Sequence, residues 1–82
     1  MNKLSESDII KKVYHQIAEI ALDFDEDLFY ALNKTINVAE SIGAKKEVTR
    51  NDKNRVVTLT FLDQSIFKAI IDNESESILL VF

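Results

Sequence analysis

The sequence predicts an α+β domain: an N-terminal αα-hairpin packed on one face of a four-stranded antiparallel β-meander, in the order α-α-β-β-β-β. Three observations predict it. Apolar residues recur with a helical period as far as Ile42 and with a two-residue period beyond it. The only glycine, Gly43, stands at the change of period. Every link between the later apolar runs is hairpin-short, which suits antiparallel neighbours and leaves no room for parallel crossovers.

The first helix is predicted over residues 5–24. Ile10, Val13, Ile17, Ile20, Ala21 and Phe24 follow the 3.6 period, with Ile9, Tyr14 and Ala18 on the flanks. Lys12, His15, Gln16, Glu19 and Asp23 form the opposite, wet stripe. Ser5 is a good N-cap, with Asp8 three residues on in an approximate capping box, and Leu4 and Ile9 stand at staple spacing. A second helix is predicted over 26–42, with Leu28, Phe29, Ala31, Leu32, Ile36, Ala39 and Ile42 as its apolar set. Asp25 is its expected N-cap, Glu26 and Asp27 suit the positive end of the dipole, and Phe24 and Phe29 repeat the staple spacing. Gly43 falls where a left-handed residue ends a helix.

Residues 45–50 read as a polar edge strand, and Asn51, Asp52, Lys53 and Asn54 as a turn. Residues 55–62 alternate, with Val57, Leu59 and Phe61 on one face and Val56, Thr58 and Thr60 on the other. Asp63 and Gln64 make a tight turn. The third strand covers 65–71, with Phe67, Ala69 and Ile71 opposed to Ile66, Lys68 and Ile70. A polar turn at 72–76 leads to a fourth strand over 77–82. Val57, Leu59, Phe61, Phe67, Ala69 and Ile71 are assigned to the helix-covered face.

Two helices cover one face of such a sheet. The fourth strand ends in five consecutive apolar residues, Ile78 to Phe82, so either choice of face leaves large side chains uncovered. Four side chains losing half their burial leave roughly 3–6 kcal/mol of transfer free energy unrealised. A homodimer is therefore expected through the open face or the last strand, with Ile66, Ile70, Leu80 and Phe82 as self-association residues.

Length and composition limit function. The 82 residues make one domain, 1–82, comprising a helical hairpin (1–43) and a sheet (44–82). Without cysteine there are no disulfides, thiolate metal sites or cysteine nucleophiles, and one glycine with no proline leaves no phosphate-cradling loop. No signal peptide or membrane span is read, and a cytoplasmic location is expected. His15 is the only histidine and lies on a wet helix face, so no catalytic residue, metal or cofactor is expected and the chain is read as non-enzymatic.

Net charge is −4, unevenly placed. Residues 1–40 carry four lysines against eight acids, 41–62 five basic residues against two acids, and 63–82 one lysine against four acids. Two surfaces follow. Asp23, Asp25, Glu26 and Asp27 with Tyr30 form an acidic corner suited to contact a larger host protein, its carboxylates standing in for phosphates. Lys45, Lys46, Arg50, Lys53 and Arg55 form a basic hairpin, which offers nucleic acid as the alternative partner. In size, acidity, lack of cysteine and lack of enzyme motifs, the chain resembles the small proteins of phages and mobile elements, among them anti-CRISPR, anti-restriction and immunity proteins. That resemblance implies an inhibitor that occludes a surface of a larger, nucleic-acid-handling host protein.

Overall fold

Ser5 opens the first helix as its sequence context demands. In the computed structural model, which describes residues 4–24, 27–75 and 77–81, its hydroxyl accepts the Asp8 N–H at 3.2 Å, and the Asp8 carboxylate accepts the Ser5 N–H at 3.4 Å. This capping box starts α1, Glu6–Asp23. The second helix, α2, is Leu28–Ser41, followed by β1, Lys45–Arg50, β2, Asn54–Thr60, β3, Ile66–Asp72, and β4, Ile78–Val81. The strands pair antiparallel in the order β1-β2-β3-β4. The molecule is thus an α+β fold with an N-terminal helical hairpin.

Two helix details depart from the sequence reading. The N-cap of α2 is Asp27, whose Oδ1 accepts the Tyr30 N–H at 3.0 Å. Asp25, the expected cap, and Glu26 lie outside the described residues. Moving the cap two residues on removes Phe24 and Phe29 from staple positions, and Phe24 is 77% exposed. In α1 the buried face is Ile10, Tyr14, Ala18 and Ala21, whereas Ile20 joins Phe24 in solvent. The face turns because Tyr14 goes inward, its ring edge-on to Phe67 with centroids 6.4 Å apart. Ala18 and Ala21 of α1 and Ala31 and Ala39 of α2 are all buried, and small side chains at a contact let helices approach closely.

Gly43 ends α2 in a Schellman motif. Its N–H donates to the Glu40 carbonyl at 3.1 Å, and the Ala44 N–H donates to the Ala39 carbonyl at 3.0 Å. Its φ is +97°, and an added Cβ would stand 2.9 Å from Leu62 Cδ1. The chain therefore reverses at Gly43 and enters β1 after one further residue.

The helix-covered face carries Val57, Leu59, Phe61, Phe67, Ala69 and Ile71, all buried as the alternation predicts. Phe61 follows the end of β2, and its N–H donates to the Ser65 carbonyl at 3.0 Å. Ile78 and Leu80 also pack on this core. Thr35 is the buried polar residue of α2, and its hydroxyl donates to the Ala31 carbonyl at 2.8 Å.

Side chains in the turns tie the layers together. The Glu6 N–H donates to Asp63 Oδ2 at 2.8 Å, the Leu62 N–H to Glu6 Oε2 at 3.1 Å, and the Ser7 N–H to Ser65 Oγ at 3.0 Å. The start of α1 is thereby fixed to the β2–β3 turn, and orphan helix donors are satisfied. At the other end, Asn51 Oδ1 accepts the Lys53 and Asn54 N–H groups, both at 2.8 Å. Asp72 Oδ1 accepts those of Glu74 and Ser75 at 2.8 and 3.0 Å. Asn73 bridges the two turns, donating its N–H to the Lys53 carbonyl and its Nδ2 to the Asn51 carbonyl.

Candidate functional site

The side-chain faces of β1 follow from its register. Lys46 stands opposite Leu59, Val48 opposite Val57, and Arg50 opposite Arg55. Residues directly opposite share a face. Leu59 and Val57 are buried under the helices, so Lys46, Val48, Arg50 and Arg55 lie on the helix side. Lys45, Glu47 and Thr49 stand opposite Thr60, Thr58 and Val56 and lie on the open face. Lys53 sits in the turn. The basic hairpin expected from sequence is therefore divided: three cations on the helix side, one on the open face and one at the tip.

α2 and β1 run back alongside each other from Gly43 and leave a groove of about 190 Å³ between them. Its floor is the buried trio Leu32, Val57 and Ile71. Phe29, Asn33 and Ile36 of α2 form one wall. Val48 stands on the other wall, where Lys46, Arg50 and Arg55 form a basic rim. Like charges directly opposite across two strands repel, and Arg50 and Arg55 are such a pair. Lys11 pairs with Asp8 at 3.6 Å, whereas no described carboxylate forms an ion pair with Lys46, Arg50 or Arg55.

Backbone polarity adds a second feature. The Asn51 N–H donates to the Asn54 carbonyl at 2.9 Å, which makes that pair a hydrogen-bonded rung. Antiparallel rungs alternate, so Lys45, Glu47 and Thr49 bond β2, while the N–H and C=O groups of Lys46, Val48 and Arg50 point off the sheet edge. The residues facing the groove with their side chains are also those with free edge backbone.

Of the expected acidic corner, the structure describes Asp23, Asp27 and Tyr30. Asp23 is exposed, Asp27 is engaged as a helix cap, and Asp25 and Glu26 lie outside the described residues. The exposed Tyr30 has the Lys34 ammonium 5.5 Å from its ring centroid, one helical turn on.

The expected self-association set changes at Leu80. The Asp72 N–H donates to the Ser77 carbonyl, which sets Ile71 opposite Ile78 and Ala69 opposite Leu80. Ile71 and Ala69 are buried, so Ile78 and Leu80 turn toward the helices. Ile66 and Ile70 lie on the open face, joined there by Leu79 and Val81, while Phe82 is outside the described residues. Leu79 is 63% exposed and Ile66 55%.

Asp8, Asp63, Asp72 and Tyr14 titrate away from their ordinary values, each at a structural position. The Ser5 hydroxyl and N–H hold Asp8 below the usual carboxylate range. The Ser65 hydroxyl, helped by the Glu6 and Ser65 N–H groups, does the same for Asp63, and the Ser75 and Glu74 N–H groups for Asp72. Burial pushes the Tyr14 phenol up. His15 is exposed, 5.6 Å from the Tyr14 ring. Among the described residues, no three His, Asp or Glu side chains gather to hold a metal, and no helix is long and apolar enough to cross a membrane.

The sequence reading named the three groove cations but not the groove. Alternation from Val57 and Leu59 was the available signal, since a paired Lys46 and Arg50 must share their face. Comparison with family models, characterised proteins and solved structures finds no match to this chain.

Proposed function

We propose that the protein is a non-enzymatic binding module that occludes a surface of a larger protein, with the α2–β1 groove as its working surface. One observation carries this reading: Lys46, Arg50 and Arg55 stand over an apolar floor and form no ion pair with a described carboxylate. Holding Arg50 and Arg55 opposite each other costs stability in the free molecule. An acidic partner relieves that repulsion and covers the floor, and a guanidinium recognises a carboxylate with two parallel hydrogen bonds. Apolar walls beside cations suit a protein segment better than a sugar–phosphate backbone, and the remaining cations Lys45 and Lys53 face elsewhere. Size and composition favour an inhibitor of the phage or mobile-element kind, directed at a nucleic-acid-handling host protein.

The test is selection from a random peptide display library against the wild-type protein and a Lys46→Glu/Arg55→Glu variant. The wild type should enrich peptides that combine acidic and apolar residues, and the variant should not. No enrichment, or identical enrichment by both, sinks the proposal. Salt-sensitive binding of duplex or single-stranded nucleic acid in its place would transfer the hairpin to the alternative reading.

A second reading concerns self-association. Ile66, Ile70, Leu79 and Val81 lie together on the uncovered sheet face, with Ile70 directly opposite Leu79. We propose a homodimer through this face, the partner being a second copy of the chain.

A further inference from the structure

We propose that β1 receives an extended acidic segment of the partner as a fifth strand, and that it reads the pattern acidic–x–apolar–x–acidic. This rests on the groove being the working surface and adds how a partner would occupy it. β1 is a six-residue edge strand, and no described element covers its outer edge. Three of its residues, Lys46, Val48 and Arg50, direct backbone donors and acceptors outward, so an added antiparallel strand finds three rungs.

The geometry of those rungs fixes the side-chain code. A residue paired opposite Lys46, Val48 or Arg50 has its own side chain on the same face. That face is the groove, so alternate residues of the guest strand enter it and the intervening ones do not. The first faces Lys46 and is favoured as Asp or Glu. The middle one faces Val48, in a groove that Phe29 and Ile36 of α2 also line, and is favoured as an apolar residue. The third faces Arg50, with Arg55 beside it, and is again acidic. The code is symmetric about its centre.

Charged side chains on an edge strand ordinarily discourage strands from adding to it. The two groove-facing charges of β1, Lys46 and Arg50, and the neighbouring Arg55 of β2 share one sign, so the deterrent is selective. A basic guest meets like charge on every polar rung and an apolar guest leaves the cations desolvated and unpaired, whereas an acidic–apolar guest satisfies both.

The probe is a short synthetic peptide centred on Glu-Thr-Val-Thr-Glu, compared with a scrambled peptide of the same composition. Affinity is read by calorimetry, and amide hydrogen exchange is read residue by residue at saturation. The ordered peptide should bind roughly tenfold or more tightly than the scrambled one, a difference well within one charge-assisted contact. Exchange should slow at Lys46, Val48 and Arg50. Val48→Pro should abolish binding while β1 stays paired with β2, because the lost N–H points away from the ladder. Should that variant fail to fold, N-methylation of the peptide's central valine removes the same rung from the other side.

Equal affinity for ordered and scrambled peptides, with no slowed amide in β1, overturns strand addition. If Lys46→Glu/Arg55→Glu then still abolishes that binding, the groove reading survives alone. If neither the charge variant nor the N-methylated peptide changes affinity, both readings fall.

Discussion

The two edge strands of this sheet solve the same problem in opposite ways. β1 is polar, six residues long and exposed throughout, and its helix-side charges line a groove. β4 is four residues long and entirely apolar, with Ile78 and Leu80 half-buried against the core and Leu79 and Val81 exposed. An edge strand leaves a row of backbone groups unpaired, and charge or brevity limits what can pair with it. β1 relies on charge and β4 on brevity. Both edges have a hollow beside them, about 190 Å³ between α2 and β1 and about 390 Å³ lined by Tyr14, His15, Ala18, Leu28, Ile78 and Leu80 at β4, so the edges differ in the charge they present and not in the space next to them.

The largest expected effect separates the two faces of β4. Leu80→Asp should cost about 1–2 kcal/mol of folding free energy in urea, because the partial burial of this leucine against the core is lost. Leu79→Asp, one residue away, should leave the urea midpoint nearly unchanged and convert a dimer into a monomer in light scattering. Equal destabilisation by both would show that the strand is buried on both faces. A wild-type mass already that of a monomer would remove the dimer.

Acid should break the two edges in order. The perturbed carboxylates, Asp8, Asp63 and Asp72, cap α1, join α1 to the β2–β3 turn and close the β3–β4 turn. The β1–β2 turn is closed by Asn51, an amide that does not titrate in this range. A carboxylate held below its ordinary value stabilises the fold fully above the unfolded-state pKa of about 3.9. That contribution declines as pH falls from there through the lower folded-state value. Amide exchange in β4 should therefore accelerate before exchange in β1 below about pH 4. Asp72→Asn, which keeps the acceptor oxygen, should delay the loss at β4. Simultaneous loss at both edges would contradict the comparison.

The smallest effect lies at the β1 edge. Arg55→Glu replaces a like-charge pair with an opposite-charge pair and should raise stability by about 0.2–1 kcal/mol. The same substitution should weaken acidic-peptide binding. A variant that is both less stable and unchanged in binding would show that the Arg50–Arg55 pair carries no stored repulsion.

Much of the fold was legible because its signals are local. The Ser5–Asp8 box, the glycine at position 43 and the alternation from Val57 to Phe61 each name an element's start, stop or face through nearby residues. The α2 cap was less legible. Asp25 and Asp27 are chemically equivalent at that spacing, and the phase of the buried Ala31, Leu32, Thr35, Ile36 and Ala39 selects between them. The site was legible only as a list of cations. Which of the five gather depends on pairing with β2, and the hollow beneath them depends on where α2 lies.

The amino-acid sequence by itself determined the element order, the hairpin links and the helix-covered face of the two central strands, because period and turn chemistry act within a few residues. Tertiary structure alone settled the orientation of the last strand. Five apolar residues in a row contain no alternation, so either face was acceptable until the Asp72–Ser77 rung set Ile78 against Ile71. It likewise decided the groove, since the space between α2 and β1 belongs to the packing of two elements and to neither one's residues alone.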